Sequence, residues 1–82
     1  MGYHVATIQK GVLGESSKLQ EEIDELKDAE AQGARLMALC ELADLVGAIG
    51  AYLEHNYPGW SMEDLQKMAT ATTSAFKEGT RR

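Results

Sequence analysis

A single cysteine, Cys40, is all the thiol in 82 residues, so no internal disulfide can staple this chain. Basic residues are scarce as well. Eight Lys and Arg stand against thirteen Asp and Glu, a formal charge of −5. A duplex-binding protein neutralises phosphates with a basic face, so neither nucleic acid nor an anionic membrane is an expected partner. The N-terminus lacks a basic run followed by an apolar core, so no secretory leader is expected and the expected location is cytoplasmic. No internal repeat, low-complexity tract or linker divides the sequence. What is there has globular composition, 44% hydrophobic and 26% charged. A chain this short buries only about 60% of its unfolded surface. Without disulfides, such a small core leans on a metal or a partner subunit.

Residues 1–14 are expected to form an extended N-terminal segment. Tyr3, Val5 and Thr7 alternate with His4 and Ala6, and Gln9-Lys10-Gly11 offers a turn into Val12-Leu13, which together suggest a short ribbon. Residues 15–82 are expected to form a helical domain. Ser16 or Ser17 is suited to cap its first helix, and Ser17 with Gln20 has the capping-box spacing. Leu19, Ile23, Leu26 and Glu30 share one face of that helix, and Gln32-Gly33 supplies its stop. A second helix is predicted from about Ala34 to about His55. Between Leu36 and Leu53 its only charges are Glu41 and Asp44.

A helix that is apolar nearly all round is either buried or in a membrane. Two acids and two glycines near its middle favour burial, since a central charge costs roughly 2.5–3.5 kcal/mol in a bilayer. Asn56-Tyr57-Pro58-Gly59 predicts a turn. Ser61 with Asp64 then caps a third helix, with Leu65, Met68, Ala69, Thr72 and Phe76 as its inward stripe and Gly79 at its end. The expected fold class is all-α, a small helical bundle with too little chain to enclose its middle helix. Homo-oligomerisation would complete it.

Two short acidic steps stand out, Glu22-Ile23-Asp24-Glu25 and Glu41-Leu42-Ala43-Asp44. Residues three apart on a helix are surface neighbours, so each step can hold a cation from one side. At 100° per residue Glu22 falls about 60° from Leu19 and about 40° from Leu26, at the edge of the apolar stripe. On the second helix Leu39, Leu42, Val46, Ile49 and Leu53 gather on one side. Glu41 and Asp44 lie opposite, among Cys40, Gly47, Ala48 and Ala51, where small neighbours leave room for a ligand. A buried carboxylate is costly unless paired, and a hard cation with oxygen ligands removes that cost. The structural alternative is an ion pair, with Arg35 or Lys67 for the second step and Lys18 for the first. A calcium loop beginning at Asp28 fails because Leu39 stands where a bidentate Glu is required. The Glu-x-x-His steps of di-iron bundles are missing, and Cys40, His4 and His55 make a poor zinc set. Cys40 reads as a small core residue, Trp60 as a packing residue, and the two histidines carry no assigned role.

The string from Lys18 to Leu26, KLQEEIDEL, followed by Glu41-Leu42-Ala43-Asp44-Leu45, resembles the ExxE…ExxD signature of the MazG-like nucleotide pyrophosphohydrolases. That superfamily also holds phosphoribosyl-ATP pyrophosphatases and dimeric dUTPases. The resemblance covers residues 16 to 55 and implies an all-α homodimer or homotetramer. It implies Mg²⁺, with Mn²⁺ as a substitute, held by Glu22, Glu25, Glu41 and Asp44. It further implies cleavage of a nucleoside triphosphate or related nucleotide between the α and β phosphates, with Glu22 or Glu25 acting on the attacking water. Lys18, Lys67, Lys77 and Arg81 are the candidates to hold the remaining phosphate charge. The alternatives are a non-catalytic nucleotide- or metal-binding module and a structural helical oligomer.

Overall fold

A computed structural model describes residues 4–79 as three helices, α1 (Ser16–Ala31), α2 (Arg35–Asn56) and α3 (Met62–Glu78). The chain is all-α, and no strand occurs among the described residues. Tyr3 and Arg81 lie outside the described residues.

α1 ends where the sequence says it should. The Gln32 amide donates back to the Asp28 carbonyl, and Gly33 follows in the left-handed region at φ 69°. Glycine meets no Cβ penalty there, so the chain reverses within three residues. A connection this short makes α1 and α2 an antiparallel hairpin, and their mutual face is the main packing interface of the fold. Ala29 and Ala48 occupy its innermost apolar positions. The predicted apolar stripe of α1 is not what is most buried. Ile23 and Glu30 are exposed, whereas Glu21, Glu22 and Asp28 are buried with Ala29.

The acids are buried because a strap lies over them. Residues 4–14 form no ribbon, since α1 side chains claim the backbone amides that a ladder would need. Val5 and Ala6 donate to the Asp28 carboxylate at 3.2 and 3.1 Å, and Gly11 donates to Glu21 Oε1 at 2.9 Å. Val12 donates to Ser17 Oγ at 3.0 Å, which withdraws Ser17 from capping; Glu15 takes the N-cap position with no side-chain cap bond. A Cβ on Gly11 would overlap the Ser17 carbonyl, so only glycine lets the strap lie this close. At its end, Asn56 Nδ2 donates to the Gly14 carbonyl and ties the strap to the last turn of α2.

Tyr57–Trp60 is a hydrogen-bonded turn with Gly59 at φ 97°, and Pro58-Gly59 has the type II arrangement. Ser61 and Asp64 form the full capping box of α3, and Gly79 closes the helix at φ 74°. The expected inward stripe of α3, however, is uncovered. Met68 and Phe76 are each 57% exposed, and the helix touches the hairpin near its start, where Met62 lies against Gly50. The bulky side of α2 is uncovered too, at Leu36, Leu39, Leu42 and Val46.

Candidate metal centre

Gly33 sits eight residues from both Glu25 and Glu41, and eleven residues from both Glu22 and Asp44. In an antiparallel hairpin rising 1.5 Å per residue, equal distances from the turn mean equal heights. The two acidic steps therefore face each other. Glu22, Glu41 and Asp44 each present an oxygen within 4.8 Å of the others, and Glu25 joins the same cluster through Glu21 and Glu22 on one side and through His4 and Glu41 on the other. The four acids singled out in the sequence are thus brought to one place.

Their environments differ. Glu41 is buried and Asp44 exposed, so the cluster reaches from the helix interface to solvent. Glu22 Oε2 pairs with Lys18 Nζ at 3.1 Å and Glu41 Oε2 pairs with His4 Nε2 at 2.9 Å. The other oxygen of each, Glu22 Oε1 and Glu41 Oε1, is buried with no hydrogen-bond partner. An unmatched buried acceptor carries the full cost of its lost hydration. Burial pushes the Glu22 carboxyl above its usual range, with Glu25 adding to the shift and Lys18 opposing it. Hard oxygen donors of this number, two of them still unsatisfied, fit a divalent cation such as Mg²⁺ or Mn²⁺.

Three participants carried no assigned role in the sequence. His4 enters from the strap with Nδ1 2.8 Å from Asp28 Oδ2 and Nε2 2.9 Å from Glu41 Oε2, 4.0 Å from Glu25 Oε2. Asp28 raises the His4 pKa above 6.5, burial works against the shift, and Glu41 adds to it. The same contact holds Asp28 below the usual carboxylate range, helped by Gln32 and by the amides of Ala6 and Val5 against the effect of burial. Glu21 is held low first by the Gly11 amide and then by Lys18, again against burial. Burial works against charge on Lys18, but Glu22 and Glu21 outweigh it and leave its pKa above 10.5. Glu21 and Asp28 are seven residues apart, two turns on one face, and that spacing was the available signal. A histidine isolated in an irregular segment has no such period.

The candidate phosphate-binding lysines separate. Lys18 stands in the cluster, 3.2 Å from Glu21 and 3.1 Å from Glu22. Lys67 and Lys77 belong to α3, where Lys77 borders a recess of about 400 Å³ with Gln66, Thr70, Thr73 and Ser74. Among the described residues, the acids pair with Lys10, Lys18 and the His4 imidazole, not with Arg35 or Lys67. Lys10, which had no assigned role, borders a pocket of about 200 Å³ with His4, Ala6, Ile8 and Glu25. Cys40 is exposed and so is not the core residue expected; its neighbours on that side of α2, Asp44 and Gly47, are exposed as well.

Comparison with known protein families, with curated proteins and with solved structures finds no match for the chain.

The ionic contacts fix a pH dependence. A histidine whose folded pKa is raised stabilises the fold fully below its unfolded value of 6.5, and that contribution is lost as pH rises through the folded value. Glu22, an acid raised by folding, likewise loses its contribution as pH rises from about 4.5. Asp28 and Glu21, both lowered, contribute above 3.8 and 4.5 and lose this as pH falls through their folded values. In chelator, the melting temperature should therefore peak between about pH 4.5 and 6.5 and fall on both sides. His4→Gln should flatten the alkaline fall above about pH 6.5. Identical alkaline slopes in both proteins would contradict the His4 assignment.

Proposed function

We propose that the protein is a Mg²⁺-dependent nucleoside triphosphate pyrophosphohydrolase that splits the α–β phosphate bond, releasing nucleoside monophosphate and pyrophosphate. The observation that carries this reading is the four-carboxylate cluster of Glu22, Glu25, Glu41 and Asp44, with its two buried and unpartnered oxygens. The ExxE…ExxD resemblance supplies the reaction class. Mg²⁺, when bound, polarises phosphoryl oxygens and offsets the substrate's charge against an acidic site.

The chain's own residues divide the remaining work. Glu22, Glu41 and Asp44 hold the ion. Glu25 is half-buried and borders the pocket shared with Lys10; in this reading one of its oxygens takes a proton from the attacking water. Water's oxygen bonds to the α phosphorus as the bond from that phosphorus to the bridging oxygen breaks, so pyrophosphate leaves with the bridging oxygen and the water's proton passes to Glu25. Lys18 opposes the effect of burial on Glu22, and Lys10 is the exposed cation at the pocket mouth, with its side chain 78% exposed. In this reading Lys67 and Lys77, on α3, meet phosphate only from a neighbouring copy.

That copy is part of the proposal. α2 is long and apolar enough to cross a membrane by length and composition, with a mean hydropathy of 1.7 over its 18-residue window. Glu41 and Asp44 would oppose insertion. The uncovered side of α2, from Leu36 through Leu39 and Leu42 to Val46, is instead given to a second copy in a homodimer or homotetramer. One observation favours a second reading. Lys18 and His4 already answer one oxygen each of Glu22 and Glu41, as in a structural helical oligomer or a binding module without turnover.

A panel of ribo- and deoxyribonucleoside triphosphates assayed with Mg²⁺, with Mn²⁺ and with chelator should give metal-dependent pyrophosphate from at least one member. Orthophosphate release instead, or silence throughout, would reject the proposal. Asp44→Asn, at an exposed position, should lower kcat about 10²–10⁴-fold with helix content unchanged. Sedimentation should show a dimer or tetramer that Leu39→Glu weakens, and a monomer at all concentrations would remove the second copy.

A further inference from the structure

His4 is held more firmly than a histidine in an irregular strap needs to be, and its hold points to a role. We propose that His4 Nε2 is a metal ligand. With Glu25 and Glu41 it forms a mixed nitrogen–oxygen position for a first-row transition ion such as Mn²⁺, adjoining the all-carboxylate position of Glu22, Glu41 and Asp44. The inference rests on the divalent-ion reading of the cluster and not on nucleotide chemistry.

Four observations carry it. The first is spacing. His4 Nε2 lies 2.9 Å from Glu41 Oε2 and 4.0 Å from Glu25 Oε2. Two donors each about 2.1 Å from one ion lie about 3 Å apart at a right angle and about 4 Å apart at a wide angle, so these separations suit a shared ion. The second is orientation. Metal-ligating histidines give their other ring nitrogen to a carboxylate or carbonyl, which fixes the tautomer and aims the ligating nitrogen. Asp28 does this at 2.8 Å, and it is itself held by the amides of Val5 and Ala6 and by Gln32 Nε2 at 2.8 Å. Both carboxylates only accept, so without an ion each ring nitrogen donates a proton; Asp28 keeps the one on Nδ1, and an ion bound at Nε2 takes the place of the one shared with Glu41.

The third is the unmet acceptor. The Glu41 side chain is 2% exposed, one oxygen faces His4, and Oε1 has no hydrogen-bond partner. Glu41 also belongs to the all-carboxylate group, so it stands between the two candidate positions. The fourth is access. The pocket of about 200 Å³ bordered by His4 and Glu25 gives an ion a way in from solvent. The imidazole sets the selectivity. Nitrogen ligands favour Mn²⁺, Co²⁺ or Zn²⁺ over Mg²⁺, which prefers oxygen throughout. Asp28 is a positioning residue for this ligand and makes no contact with the ion.

The test is pulsed electron paramagnetic resonance on the full chain loaded with Mn²⁺, read for modulation of the signal by an imidazole nitrogen. Wild type should show it, His55→Gln should retain it, and His4→Gln should lose it. Asp28→Asn should weaken Mn²⁺ binding about 10–100-fold, as loss of an outer carboxylate does elsewhere. Bound Mn²⁺ without nitrogen coupling in wild type overturns the proposal whatever the variants do. So does coupling that survives His4→Gln, or a failure of wild type to bind Mn²⁺. Nitrogen coupling in a protein that releases no pyrophosphate would support this inference while rejecting the hydrolase.

Discussion

Charge burial is the constraint on which this structure turns. Four acids, Glu21, Glu22, Asp28 and Glu41, are buried among the described residues, against three apolar side chains, Ala29, Ala48 and Leu53. A hairpin of two helices encloses too little carbon to ignore that cost, so each acid needs a partner. Glu21 and Asp28 find theirs inside the chain, in the amides of Gly11, Val5 and Ala6. Glu22 and Glu41 are only half answered, each with one oxygen paired and one orphaned. The first pair builds the fold, and the second pair is where we propose that a cation binds.

The same helix therefore does two jobs on adjoining faces. One face of α1 holds the strap through Glu21 and Asp28, and the next turns Glu22 and Glu25 toward α2. The strap connects them, because the residue that reaches furthest into the acids, His4, is fixed by the carboxylate that pins the strap. Anything that loosens residues 4–11 is felt at Glu41. In the proposed reading, stability and metal binding share these contacts.

The sequence made the helices and their ends readable for local reasons. Gly33, Pro58-Gly59, the Ser61–Asp64 box and Gly79 act within a few residues of themselves, and each sits where its chemistry demands. The four-acid cluster was readable too, because both steps lie at matching distances from the Gly33 turn. The strap was not. The amides of Val5, Ala6 and Gly11 bond to side chains ten to twenty-three residues away, so the alternation that suggested a ribbon competed with contacts no local pattern shows. The roles of His4, Asp28 and Glu21 were hidden for that reason. Apolar periodicity likewise marked Met68 and Phe76 as inward, yet both are more than half exposed.

If the orphaned oxygens of Glu22 and Glu41 await a cation, an ion that binds only the folded chain must stabilise it, by an amount that grows with the logarithm of its concentration. The direct measurement is the melting temperature against Mg²⁺ concentration, starting from chelator, for wild type and for Glu22→Gln/Glu41→Gln. The account predicts a rise in wild type that continues through the millimolar range, reaching about 2.7 kcal/mol at a hundredfold excess over Kd, and a flat response in the double variant. A wild-type melting temperature indifferent to millimolar Mg²⁺ and Mn²⁺ would contradict it and leave the acids as structure alone.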